Sequence, residues 1–209
     1  MADIYTFPAP KDGRGGAPRA KASGSGRPHG VPEPVWHAVE TIQRMRRLDD
    51  VHYREIPVPS TLADYGIGVE IECMSYEEGA NRIAASGWIM VLYSADTRTD
   101  WESRWRCVAF GRLPLDGNGR DCLTPAMYWD DMKDQLGGVG ARNIGGTVTV
   151  TQNTSFGTVT SEPHAGCEIR VSWTPAELPD GDVDASKQVM AWTLFLRASL
   201  NDDERETIG

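Results

Sequence analysis

Apolar and polar side chains alternate strictly in two stretches of the C-terminal half, Thr147-Val148-Thr149-Val150-Thr151 and Cys167-Glu168-Ile169-Arg170-Val171-Ser172-Trp173. Successive side chains of a strand point to opposite faces, so each stretch has one greasy edge and one polar edge. Val148 and Val150 share a face with Cys167, Ile169, Val171 and Trp173, while the threonines, Glu168, Arg170 and Ser172 lie opposite. This predicts an antiparallel pair with one face packed and the other wet.

Matching strands precede it. Tyr65 to Met74 alternates, with Ile67, Val69, Ile71 and Cys73 on one side and Gly66, Gly68, Glu70 and Glu72 on the other. Trp88 to Tyr93, WIMVLY, is apolar on both faces and predicts a central strand. Trp101 to Leu113 puts Trp105, Cys107 and Ala109 on one face and Arg104, Arg106, Val108, Phe110 and Arg112 on the other. VHYREIPVPS is broken by Pro57 and Pro59, which cannot donate to a ladder, so it predicts an edge strand or a strand-like connector. YEEGANRIAAS reads as a turn or short irregular excursion, and Asp96 to Asp100 as a polar turn.

Three stretches follow a helical period instead. Pro34 to Arg47 carries Val35, Val39, Ile42 and Met45 on one stripe, with Arg44, Arg46 and Arg47 placed to complement the dipole in a last turn. Thr124 as N-cap and Pro125 at the first helical position open a second helix that runs to Leu136, with Tyr128, Met132 and Leu136 in line and Gly137-Gly138 as its stop. Ala185 to Leu200 repeats Val189, Trp192, Leu196 and Leu200. The predicted class is α+β: an antiparallel sheet of five to six strands with three helices on one face, in the order helix, four strands, helix, two strands, helix. That order spans residues 31–201 as one domain.

Composition changes the picture at the ends. Residues 1–30 carry five basic and two acidic side chains, a balance of +3, which leaves −12 of the total −9 for the remainder. Gly, Pro, Ser and Ala between those bases predict a disordered basic tail, with Ile4, Tyr5 and Phe7 as a small apolar patch inside it. Residues 202–209 form an acidic tail. An acidic body repels phosphate backbones, so the domain itself is not expected to take nucleic acid as a partner. No run approaches the roughly 18 apolar residues of a membrane span, and no apolar leader opens the chain, so the expectation is a cytoplasmic protein without a membrane partner.

Motifs for chemistry are sparse. Cys73, Cys107, Cys122 and Cys167 form no CxxC pair and read as buried thiols in a reducing compartment. Of His29, His37, His52 and His164, none stands beside a nucleophile in a catalytic pattern. Asp130 and Asp134 lie one helical turn apart, the pattern of a solvated helix face more than of a metal site. PLDGNGRD lacks the glycine and the final glutamate of a calcium loop, and GGVG lacks the Lys-Ser/Thr of a phosphate loop. No cofactor or metal is expected, and no catalytic residue is assigned.

What remains is a charged strand face. Three arginines on one strand face, Arg104, Arg106 and Arg112, are costly unless wet or paired, and Glu70, Glu72 and Glu168 on the polar edges of other strands are their natural partners. Glu70, Glu72, Arg104, Arg106, Glu168 and Arg170 form a candidate interaction face, expected to be hydrogen-bonding rather than a second core. Phe156, in the Ser155-Phe156-Gly157 connection, either plugs back onto the core or serves as an exposed loop contact.

The stretches PVWHAVETI, REIPVPSTLADYGIGVE, GWIMVLYSADTRTDWESRWRCVAFGR, GTVTVTQNTSFGTV and EIRVSWTP resemble an uncharacterised actinobacterial family, domain of unknown function three thousand. The resemblance runs from Pro34 to Asn201 and implies no activity, cofactor or catalytic residue. Three roles then compete. One is a non-enzymatic protein-interaction or chaperone-like adaptor module, with another protein as partner. The second is a small-molecule binder or enzyme with a Glu/Arg-lined pocket, and the third an RNA-metabolism accessory factor acting through the basic tail.

Overall fold

The structure, a computed structural model, describes residues 27–77, 80–115, 124–153 and 164–199, together with Phe156 and Thr158. Its elements are α1 (Glu33–Gln43), β1 (Val51–Ile56), β2 (Tyr65–Glu77), β3 (Ala80–Arg98), β4 (Ser103–Leu115), α2 (Pro125–Gly137), β5 (Arg142–Asn153), β6 (His164–Thr174) and α3 (Ala185–Ala198). The six strands form one antiparallel sheet in the order β1-β2-β3-β4-β6-β5. The α+β class and the element order match the alternation and the helical stripes.

Each strand is apolar on the face that meets the helices because its period of two is kept in register with its neighbours. Val91 pairs with Cys107 and Cys107 with Trp173, all three buried. Ile89, Ala109 and Val171 form the next row, and Val148 and Val150 stand opposite Ile169 and Cys167. Thr147, Thr149 and Arg170 are exposed on the far side. Helix α3 lies across the middle of the dry face, touching β2, β3 and β4, with α1 beside it over β2 and α2 beside it over β5. Trp105, Trp173 and Trp192 are fully buried there. The buried Trp173 indole N–H donates to Gln188 Oε1 at 2.8 Å, which removes the cost of hiding that donor.

Two glycines make room for α3. Gly87 and Gly111 pair across β3 and β4 on the dry face. A β-carbon at Gly111 would stand 2.8 Å from Leu196 Cδ2, so the bare backbone is the floor on which Leu196 sits. The helix itself begins at Asp184, whose carboxylate accepts from the Lys187 amide as an N-cap. Its last turn is tied down by Arg197, whose Nε donates to Asp50 at 2.5 Å just before β1.

Several boundaries differ from the sequence expectation. The first helix stops at Gln43, so Arg44 is its C-cap and Arg46 and Arg47 lie beyond it rather than in a last turn. The segment read as an excursion after Met74 continues both strands: β2 and β3 pair to Glu77 and Ala80, past a register shift at Cys73/Met74. Tertiary pairing there overrides the weak alternation of the segment. Thr124 occupies the N-cap position of α2 with extended backbone but makes no side-chain capping bond. Arg27–Gly30, expected inside the tail, are tied to the body by a hydrogen bond from the Tyr65 hydroxyl to the Gly30 carbonyl at 2.8 Å. The rest of both tails and Cys122 lie outside the described residues. No described helix is long and apolar enough to cross a membrane.

Candidate functional site: the helix-free sheet face

The face of the sheet turned away from the helices is built from rows of side chains that cross all six strands. One row runs Arg54, Glu70, Trp88, Phe110, Arg170, Thr147, and its neighbour runs His52, Glu72, Ser86, Arg112, Glu168, Thr149. Side chains in adjacent rows and columns are close enough to pair, which is how residues far apart in sequence become one surface.

The charges are matched along these rows. Arg54 Nε donates to Glu70 Oε2 at 2.6 Å. Glu168 is held from both sides, by Arg112 at 2.9 Å and by Arg170 at 2.8 Å. Hydrogen bonds from Arg112 and then Arg170 hold its carboxyl below the usual glutamate range. Between the ion pairs lie two half-buried aromatics: the Trp88 and Phe110 rings stack at 6.0 Å between centroids, 25° apart. The Arg170 and Arg112 guanidiniums stand 5.3 and 5.9 Å from the Phe110 centroid. The centre of the exposed face is thus an aromatic pair capped by arginines.

Of the pairings expected from the sequence, Arg112 meets Glu168, whereas Arg104 and Arg106 have other partners. Arg106 is not beside a glutamate. It donates to the hydroxyls of Ser172 at 2.7 Å and Thr174 at 3.1 Å, and burial pushes its guanidinium below the usual range. Arg104 lies over the Tyr93 ring, 4.7 Å from its centroid, and donates to the Ser94 carbonyl at 3.4 Å. Arg54, the true partner of Glu70, was missed because the prolines that follow obscured its strand, although His52 and Arg54 alternate with Val51 and Tyr53.

A second correction concerns the expectation that this face holds no second core. Met90, Leu92 and Trp101 are buried on it, with Ile56, Val58, Ala63, Trp88 and Val108 packed against them. The connector from Pro57 to Asp64 folds back over one end of the face to cover them. It fits because Gly66 and Gly68 offer no side chains: a β-carbon at Gly66 would stand 2.7 Å from Val58 Cγ1, and one at Gly68 only 2.5 Å from the Ile56 carbonyl oxygen. Arg98 secures the same end, 4.2 Å over the Trp101 ring and within 3.4 Å of the Leu62 carbonyl. The face is therefore divided into a roofed end and an open end, and Trp88 lies at the border.

Phe156 is 81% exposed and does not plug back onto the core. Asp130 and Asp134 are exposed on α2, and the described residues contain no cluster of three metal-ligating side chains. Cys73, Cys107 and Cys167 are buried free thiols; burial pushes Cys73 up to about 12 and Cys167 to about 11. Two surface hollows lie elsewhere, one of ≈ 560 Å³ along Arg27–Pro32 and one of ≈ 440 Å³ between Thr41–Arg46 and Asp184–Met190. Neither is lined by any of Glu70, Glu72, Arg104, Arg106, Glu168 or Arg170.

Among known proteins, a family model described as a protein of unknown function (DUF3000) matches residues 31–200. No curated protein and no solved structure matches the chain.

Proposed function

The chain belongs to the DUF3000 family, and from the surface it displays we propose that it is a protein-interaction module, of adaptor or chaperone-like type, that docks another protein in the cytoplasm on the open end of its helix-free sheet face. The observation that carries this reading is the Trp88–Phe110 stack, half-buried with no described helix over it and flanked by Arg112 and Arg170. Aromatic and arginine side chains are the ones that interfaces enrich, because they bring large contact area with few rotatable bonds. The Arg54–Glu70 and Arg112–Glu168–Arg170 sets would form its polar rim, and Phe156 a further contact from the β5–β6 connection. A Glu/Arg-lined pocket for a small molecule has less support, since those residues are spread along strands instead of around a hollow.

The test is a quantitative affinity capture from native cells with the wild-type chain, the double variant Trp88→Ser/Arg170→Glu and the control Thr61→Lys. The proposal expects one partner recovered by wild type and control and lost from the double variant. Equal recovery by all three would overturn it.

A further inference from the structure

The sheet ends in two edges, and they differ. At one edge, β1 is six residues long, carries Arg54 and Glu55, and runs into Pro57 and Pro59. Short length, charge and proline are the devices by which an edge avoids pairing with another chain. At the other edge, β5 spans twelve residues, and from Asn143 to Asn153 it has neither a charge nor a proline. Its ladder to β6 is regular from Gly145 to Asn153, after a single shift near Arg142. No described strand pairs with its outer side.

The dry face at this edge is also incompletely covered. Ile144, Val148 and Val150 join the core cluster yet are only half-buried, as is Trp129 on the neighbouring α2. On β6, one strand inward, the corresponding Cys167 and Ile169 are completely buried. The core thus continues to the rim of the sheet, where no further described strand covers it.

We propose that β5 is a self-docking edge, at which two copies of this chain pair antiparallel about a twofold axis to form one continuous sheet. The strict Thr/Val alternation makes β5 complementary to its own reversed copy. A register centred on Thr149 keeps the faces aligned and sets Val148 beside Val150 on the dry side and Thr147 beside Thr151 on the wet side. The uncharged stretch brings no like charges together across the axis, although each chain carries a net charge of −9. Isologous pairing of one patch with itself is also the commonest way in which soluble chains associate. This inference does not rest on the docking proposed for the helix-free face: it uses the outer backbone edge of β5, whereas that docking centres on Trp88 and Phe110.

The experiment is sedimentation equilibrium of the full chain from micromolar to sub-millimolar concentration, with amide hydrogen exchange at both ends of that range. The expected result is a mass rising towards twice the monomer, with added protection concentrated at residues 144–151. Thr147→Lys/Thr149→Lys, both at exposed positions, puts like charges at the twofold and should raise the dissociation constant by about tenfold or more. The control His52→Lys/Thr61→Lys, with the same added charge near the opposite edge, should dimerise like wild type. A wild-type mass that stays monomeric throughout overturns the proposal. So does a dimer whose β5 amides gain no protection, or protection that appears only on adding a foreign extended peptide. These wild-type measurements decide the matter even if the lysine variant folds poorly.

Discussion

Gly111 lies directly beneath Trp192: a β-carbon on this glycine would stand 3.1 Å from Cζ2 of the indole and 2.8 Å from Leu196 Cδ2. Helix α3 therefore rests on strand backbone at this point, and the closeness of sheet and helix depends on a missing methyl group. Gly111→Ala should overpack the contact and cost about 1–3 kcal/mol. For a chain of this size that lowers Tm by roughly 2–12 °C, measurable by calorimetry. An unchanged Tm would mean that α3 can shift without loss.

The same logic applies on the other face with a different readout. At Gly68 the obstacle is the Ile56 carbonyl oxygen, which is backbone and cannot rotate away. Gly68→Ala should push β1 from β2 and loosen the connector that covers Met90 and Leu92. Amide exchange at residues 51–56 should speed up by about tenfold or more while β4 and β6 keep their protection.

Gln188 is 2% exposed and its side chain is held by the Trp173 indole N–H. Gln188→Leu leaves that donor buried and unpaired, at a cost of about 1–3 kcal/mol. A urea titration should show the lower midpoint with an unchanged slope, since neither state gains or loses much surface.

Raised thiol pKa values make the described cysteines poor nucleophiles. With Cys73 near 12 and Cys167 near 11, and Cys107 raised further by complete burial, thiolate is scarce at pH 8. Peptide mapping after brief maleimide treatment should find all three unmodified in the native protein and labelled once denaturant is added. Native-state labelling at any of them would refute their burial.

Glu168 links the open face to pH. Its carboxyl is lowered in the folded state from an ordinary value of 4.5, so its stabilising contribution is complete above that value. The contribution falls as pH drops through the lower folded value, because protonation removes the charge that Arg112 and Arg170 hold. Glu168→Gln should accordingly destabilise the protein at neutral pH and make less difference near pH 3. Comparing urea midpoints of the two proteins across that range checks the sign.

Much of this architecture was legible in the order of residues. Period-two alternation at Thr147–Thr151 and Cys167–Trp173 determined which side chains face the core, since a slip of one residue would invert every one of them. The stripes Val35-Val39-Ile42 and Tyr128-Met132-Leu136 determined the buried faces of α1 and α2 for the same kind of reason. These are local consequences of backbone geometry. Which strands become neighbours is not local. Only the tertiary structure decided that β6 lies between β4 and β5, and hence that Arg112, Glu168 and Arg170 meet while Arg106 finds hydroxyls instead. The glycines show the same division. Alternation assigned Gly66 and Gly68 a face but no role, and each of Gly66, Gly68, Gly87 and Gly111 acquires its role from the group that occupies the space a side chain would have filled: Val58 and Ile56 for the first two, Leu196 of α3 for the others.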